Sequence, residues 1–180
     1  MTTEIFEIFD DQNHLLGKAP RAEVHARGLF HRSVHILLFN GRGELLMQRR
    51  AEDKDICPTC WDLSAAEHLK PGETTLEGAL RGLQEELGIN QQNAPALDLW
   101  RPYRLETYCS EELGVIDNEF VETYLGKFDG ELVMDTVELS ALEYWSLARV
   151  EKAIADFSET FTPWFLNEMD YYFRQKKTAR

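Results

Sequence analysis

Residues 72–89 read GETTLEGALRGLQEELGI, and the fold turns on this stretch. Pro71-Gly72 stops the extended run before it. Thr74 or Thr75 can cap a helix that runs to Leu87, and Gly88 can close it. Leu76, Ala79, Leu80, Leu83 and Leu87 recur at i, i+3, i+4, i+7 and i+11, the spacing of one buried stripe. Gly78, Gly82, Glu85 and Glu86 fall on the flank beside it, with Glu86 bordering the stripe. Two interior glycines cost about 1 kcal/mol each relative to alanine, so the helix is expected to need something close there, backbone or ligand. Two adjacent carboxylates repel each other unless a cation is present. One reading of the flank is a site for a hard, oxygen-seeking metal. The other is a solvated acidic face with tight helix–strand packing.

Towards the N-terminus, Ser33–Phe39 (SVHILLF) and Glu44–Arg49 (ELLMQR) flank Asn40-Gly41-Arg42-Gly43, the strongest hairpin signal in the chain. Residues 3–9 alternate as a strand, Asp10–Asn13 form a turn, and Leu15–Lys18 can return as a second strand. Pro20 through Arg27 reads as a short helix ended by Gly28. A loop over 51–60 contains Pro58, and Trp61–Leu69 reads as one further extended run. Towards the C-terminus come strands near 99–110 and 116–128, a turn at Asp129-Gly130 and a short strand over Leu142–Ser146. Helices over Leu147–Phe157 and Thr162–Gln175 follow. Strands outnumber helices and pair mostly as hairpins. The expectation is an α+β fold, one domain over residues 1–180, with a mixed or antiparallel sheet sandwiched by helices.

The 180 residues carry 19 Lys and Arg against 32 Asp and Glu, a formal charge of −13. A protein that binds a nucleic-acid polymer through its backbone needs a basic surplus, so that class is disfavoured. No run approaches the roughly 18 apolar residues of a membrane span. The start, MTTEIFEIFDD, lacks a basic region followed by an apolar stretch, so no secretion signal is expected. Cys57, Cys60 and Cys109 are an odd, sparse set, which points to a reducing compartment and hence to the cytoplasm. Charge is unevenly spread. Lys18 to Lys54 holds eight Lys and Arg against four Asp and Glu, with His25, His31 and His35 in the same stretch. A solvated face would explain that cluster, and so would a pocket attracting a small anion. Cys57-Pro-Thr-Cys60 is best read as a structural loop, with redox or half-zinc roles as alternatives. His35 is expected to share a strand face with His31 as a satisfied, partly buried histidine.

The stretch over residues 67–89 resembles the Nudix box, G-x5-E-x7-R-E-U-x-E-E-x-G-U with U aliphatic. Glu73, Arg81, Leu83, Glu85, Glu86, Gly88 and Ile89 fit at the required spacings. Glu67 stands where the first Gly should be, and Gly82 where the Glu after Arg81 should be. The resemblance implies a loop–helix that binds a divalent metal, Mg²⁺ or Mn²⁺, and the diphosphate of a substrate. It makes Glu85 and Glu86 metal ligands and pairs Arg81 with Glu73. Gly82 removes one metal-side carboxylate.

Segments GLFHRSVHILLFN, GELLMQRR, CPTCWDLSAAEHL, IDNEF and FTPWF together resemble type I isopentenyl-diphosphate isomerase, a branch of the same fold, over roughly residues 28–175. That likeness implies a second, transition-metal site at His31, His68 and Glu119, with Asp117 in place of a glutamate and His25 nearby but one residue out of register. It places Arg50 and Lys54 on the diphosphate, Trp164 against the substrate, and Tyr108 near a catalytic tyrosine. Glu85 and Glu119 are then the candidate bases. The family's catalytic cysteine is Ala66 here, with Cys60 the nearest thiol in sequence. Three functions follow: a metal-dependent hydrolase of a small diphosphate, an isomerase with altered acid–base groups, or a silent diphosphate-binding module. A monomer and a homodimer are equally compatible with the sequence.

Overall fold

The computed structural model describes residues 4–178. Thr3, the expected start of the first strand, and Arg180 of the C-terminal tail lie outside the described residues. The elements are β1 (Ile5–Phe9), β2 (Leu15–Pro20), α1 (Arg21–Arg27), β3 (Phe30–Phe39), β4 (Leu45–Arg50), β5 (Trp61–Asp62) and β6 (Ala65–His68). They continue with α2 (Thr75–Leu87), β7 (Leu97–Ser110), β8 (Val115–Lys127), β9 (Leu139–Trp145), α3 (Leu147–Phe157) and α4 (Pro163–Thr178).

Strand β3 is the axis of the mixed sheet. Its side chains alternate between two layers, as a period of two requires. Val34, Ile36 and Leu38 pack with Ala79, Leu83 and Leu87 of α2. Leu37 and Phe39 pack with Val150 of α3 and with Phe165, Met169 and Tyr172 of α4. Helices thus cover both faces, as expected. The short strand expected over Leu142–Ser146 is longer, Leu139–Trp145, because it pairs along β4 from Leu45↔Trp145 to Arg50↔Leu139.

Two pairings differ from a chain of simple hairpins. β3 and β4 share only Phe39↔Leu45 and then diverge. The run expected as one strand over 61–69 fills the gap in two pieces, with β5 on β4 (Gln48↔Asp62) and β6 on β3 (Ser33↔His68). Ser64 bridges the crossing point. Its N donates to Ile36 O (3.1 Å), and its Oγ donates to Leu46 O (2.7 Å) while accepting from Leu38 N (2.8 Å). β3 also pairs in parallel with β8, placing His31 opposite Glu119.

Of the two candidate caps of helix α2, Thr74 is the one used, in a capping box with Glu77, and Gly88 closes the helix as expected at φ 68°. Its buried face is rotated from the expected stripe. Thr75, Gly78, Ala79, Gly82, Leu83, Glu86 and Leu87 are buried, while Leu76 is exposed and Leu80 half-buried. The glycines sit inside the contact because β6 and the loop after it approach there, so helix position alone understated how wide the buried face is.

Candidate active site

Arg81 organises the loop before α2. Its Nε and Nη2 donate to the two oxygens of Glu73 (2.8 and 2.9 Å), and Nη2 also reaches His68 O (2.8 Å). Nη1 donates to Glu67 (2.5 Å) and Glu85 (3.1 Å). A guanidinium fork that ties a loop, a strand and its own helix together is the geometry arginine supplies and lysine cannot.

Beside this brace lies a histidine–carboxylate cluster. His25 comes from α1, His31 from β3, His68 from β6, and Asp117 and Glu119 from β8. His31 Nε2 lies 3.3 Å from Asp117 Oδ1 and 3.8 Å from Glu119 Oε1. His25 Nε2 lies 3.7 Å from Asp117 Oδ1, and His68 Nε2 lies 3.1 Å from Glu119 Oε1. The His31 ring stacks on Phe6 at 5.0 Å. Its Nδ1 donates to Leu29 O (3.2 Å), which leaves Nε2 with its lone pair facing the cluster. Burial, with His68 adding to it, pushes His25 down to about 4 and His31 down to about 3. Burial opposes a charge on His68 too, but the hydrogen bond and charge of Glu119 outweigh it and raise this histidine. Burial and the charge of Glu119 lift Asp117 to about 7. His25 Nε2, His31 Nε2 and Asp117 Oδ1 are buried without any hydrogen-bond partner. Such orphaned atoms are costly unless something else satisfies them. Neutral imidazoles with carboxylates are the donor set of a transition metal, so the residues fit one.

A pocket opens against this cluster, its wall including Arg21, Arg50, Ala66, Glu67, His68 and Trp164. Trp164 is fixed by Asp62, a fully buried carboxylate. Asp62 Oδ1 accepts from Trp164 Nε1 (2.7 Å) and Thr162 Oγ1 (2.8 Å), and Oδ2 from Arg50 (3.4 Å). Arg50 also lies 5.4 Å from the centre of the Trp164 ring. His35 borders the same pocket, backed by the fully buried Glu168 of α4. Glu168 accepts from His35 Nδ1 (2.9 Å), Thr123 Oγ1 (2.6 Å), Arg101 (3.2 Å) and Arg104.

Residues 29–165 match the model of the NUDIX domain. The chain belongs to the NUDIX family. It is 32% identical over 158 residues to an isopentenyl-diphosphate Delta-isomerase of Pectobacterium atrosepticum, covering 88% of this chain and 85% of that one. It is 46% identical over 86 residues to an uncharacterised Nudix hydrolase of Pseudomonas aeruginosa, covering 48% and 51%. A solved structure from Deinococcus radiodurans superposes with a TM-score of 0.69 at 20% identity, covering 95% and 98%, and shares the fold.

Within this NUDIX fold, His25, His31, His68, Asp117 and Glu119 are brought together, and His25 belongs to the cluster despite its offset in sequence. Glu85 and Glu86 are not brought together. Glu86 is buried, accepting from Ala66 N (3.3 Å), and burial with the charge of Glu67 raises its carboxyl well above the usual range. Glu85 is half-exposed and pairs with Lys70 (3.2 Å) and Arg81. Successive helical residues lie about 100° apart, so the one sequence flank becomes two environments. Lys54 is absent from the pocket wall and pairs with Glu138. Tyr108 meets Trp164 edge-on at 6.0 Å, and burial, with the nearby Cys57 thiol adding to it, raises its hydroxyl. Cys57 and Cys60 are free, and burial raises both thiols, which opposes a reactive thiolate. Sequence reasoning missed Arg21, whose only signal was the basic stretch around it, and Glu168, which had none.

Proposed function

We propose that the chain is a divalent-metal-dependent hydrolase cleaving a diphosphate linkage in a small anionic substrate. The observation that carries this reading is Ala66. It stands in the pocket wall with Glu67 and His68, two residues before that histidine, and its side chain offers neither a proton donor nor an acceptor. Moving a double bond requires protonation at one carbon and deprotonation at another, each by a positioned group. Hydrolysis of a diphosphate requires one base and charge neutralisation, and both are available.

His25, His31, His68, Asp117 and Glu119 would hold the transition metal, and the carboxylates of the box would serve Mg²⁺ or Mn²⁺. A bound divalent cation supplies Lewis-acid polarisation of a phosphoryl oxygen. Arg21 and Arg50 balance the diphosphate charge from the pocket wall. Trp164, braced by Asp62, orients the remainder of the substrate and excludes water on that side. The proton of the attacking water passes to one of the two candidate bases, Glu85 or Glu119; a carboxylate that holds an ion through one oxygen keeps the other to accept it. Net acidity outside the pocket favours a small molecule over a nucleic-acid polymer.

An isomerase remains the second reading. It is favoured by Trp164 beside Arg50 and by the name of the Pectobacterium relative. A panel of nucleoside and prenyl diphosphates with Mg²⁺ or Mn²⁺, read by phosphate or pyrophosphate release and by product isomer, separates the two. Metal-dependent release from at least one diphosphate is expected. Allylic isomer from isopentenyl diphosphate, with no release across the panel, would overturn the hydrolase.

A further inference from the structure

Strand β3 sends His31, Ser33 and His35 to one face of the sheet, since every second residue shares a side. His31 belongs to the metal-type cluster, while Ser33 and His35 belong to the pocket wall. Their cross-strand neighbours on β6 are His68 opposite Ser33 and Ala66 opposite His35. Side chains paired in this way stand about 4.5–5.5 Å apart at Cβ. The methyl group of Ala66 therefore leaves the His35 ring uncovered on that side, where a longer side chain would crowd it.

The His35 ring is held through one nitrogen. Nδ1 lies 2.9 Å from Glu168 Oε1, a carboxylate oxygen that only accepts, so the proton sits on Nδ1 and Nε2 keeps its lone pair. Arg104 Nη2 is farther from that nitrogen, at 3.3 Å, and is itself bonded to Glu168. Burial pushes His35 below the usual histidine range and outweighs the charge of Glu106, so the ring is neutral with a single N–H. The side-chain polar atoms shut away from solvent without a partner lie on His25, His31, Ser33, Gln48 and Asp117. His35 Nε2 is not one of them, and among the described residues no hydrogen bond reaches it, so its lone pair opens on the pocket that His35 lines. Ser33, 3% exposed in the same wall, adds a hydroxyl that has no partner.

We propose that His35 Nε2, with Ser33 Oγ one step along the same strand face, selects the organic part of the substrate: the pocket takes a diphosphate whose carbon portion carries a hydroxyl or amine, and disfavours one whose carbon portion is pure hydrocarbon. Nε2 accepts from the substrate O–H or N–H. Glu168 acts through it as a positioning residue that fixes the tautomer. A hydrocarbon laid along Trp164 would cover both polar atoms and satisfy neither. Sites built to bond a donor reject analogues that lack it far more strongly than they reject a misfitting methylene. His35 is thus separate from the candidate bases, because it bonds a group that does not react. The substrate class so named rests on the diphosphate reading above and narrows it.

Calorimetry with methylene-bridged diphosphonates, which cannot be hydrolysed, tests the selection. The ligands are a short series of alkyl diphosphonates of increasing length, each paired with its hydroxyl-terminated analogue, with Mg²⁺ present throughout. The quantity read is the ratio of affinities within a pair, so a general loss of binding cancels. The wild type should favour the hydroxyl member of at least one pair by about tenfold or more, the scale of a well-made hydrogen bond. His35→Asn keeps an N–H on the side of Glu168 but lacks Nε2, and should bring that ratio close to one. Ring-nitrogen NMR of the wild type should show His35 Nε2 unprotonated and shifted by the hydroxyl member alone. Glu168→Gln, whose amide can donate to Nδ1, should move the ring proton to Nε2 and lower the same ratio. Should either variant fail to fold, the paired series and the ring spectrum of the wild type decide. Equal binding within every pair, a protonated Nε2 in the wild type, or a preference that survives in folded His35→Asn would each overturn the proposal. Failure of even bare methylenediphosphonate to bind would sink the diphosphate reading and this selection with it, whereas equal binding within the pairs sinks the selection alone.

Discussion

His25, His31, His68 and Asp117 present ligand-type atoms within 4.8 Å of one another, and so do His35, Glu106 and Glu168. The two groups are alike in placement, since each is mostly buried and assembled from distant segments. They differ in what surrounds them. Glu168 receives hydrogen bonds from His35, Thr123, Arg101 and Arg104, and Glu106 receives one from Arg104 (2.6 Å). In the first group His25 Nε2, His31 Nε2 and Asp117 Oδ1 have no partner. The two guanidinium groups of the adjoining pocket wall, Arg21 and Arg50, are bonded elsewhere, to Glu4 (3.0 Å) and Asp62 (3.4 Å). Readiness for a metal is thus a matter of unmet valence, and the number of candidate ligands decides little. The saturated group locks α4 to the sheet; the unsaturated one leaves His25 Nε2, His31 Nε2 and Asp117 Oδ1 unpartnered.

The largest expected effect breaks the saturated group. Glu168→Ala would leave Arg104 and His35 buried without their carboxylate, at a cost of about 3–5 kcal/mol by analogy with other broken buried pairs. Urea denaturation measures it, and a loss under about 1 kcal/mol would show that the network is not structural. An intermediate effect comes from filling the other group. Zn²⁺ or Mn²⁺ at about 100 times its dissociation constant should stabilise the wild type by about 2.7 kcal/mol, and His31→Asn should abolish that gain in calorimetry. The gain should depend on pH with a definite sign. Asp117 holds a proton below about 7 in the metal-free fold, and an ion must displace it. Affinity should therefore fall by up to about tenfold per pH unit on acidification below 7, and level off above it. The smallest effect sharpens the contrast. Asp117→Asn removes a charge that burial and Glu119 already oppose, so the metal-free protein should change by less than about 1 kcal/mol while metal binding is lost. Destabilisation on the scale of Glu168→Ala would make the two groups alike.

Helix α2 and its ends were legible, to within the choice of Thr74 or Thr75 as the cap, because capping residues act within one turn of the backbone. The rotation of its buried face was not, since it depends on Leu69 and Glu67 closing over Gly78 and Gly82. The split between β5 and β6 was hidden for a related reason. The run 61–68 alternates like one strand, and only Ser64 bonding to both β3 and β4 reveals the crossing. His31, His68 and Glu119 were readable through the likeness to a known family. Arg21 and Glu168 carry no local pattern, being single charged residues on short or amphipathic helices. Lys54 matched a family position, yet the loop carrying it turns to Glu138.

The parallel register of β3 and β8 sets His31 directly against Glu119. A slip of one residue would oppose His31 to Asn118 or Phe120 and send the carboxylate to the far face. Contacts this distant in sequence form slowly, because a long loop must close before they are rewarded. An ion can therefore be captured only by chains that have completed that pairing in the correct register, and the time course of metal uptake during refolding becomes a clock for a late step in the assembly of the sheet.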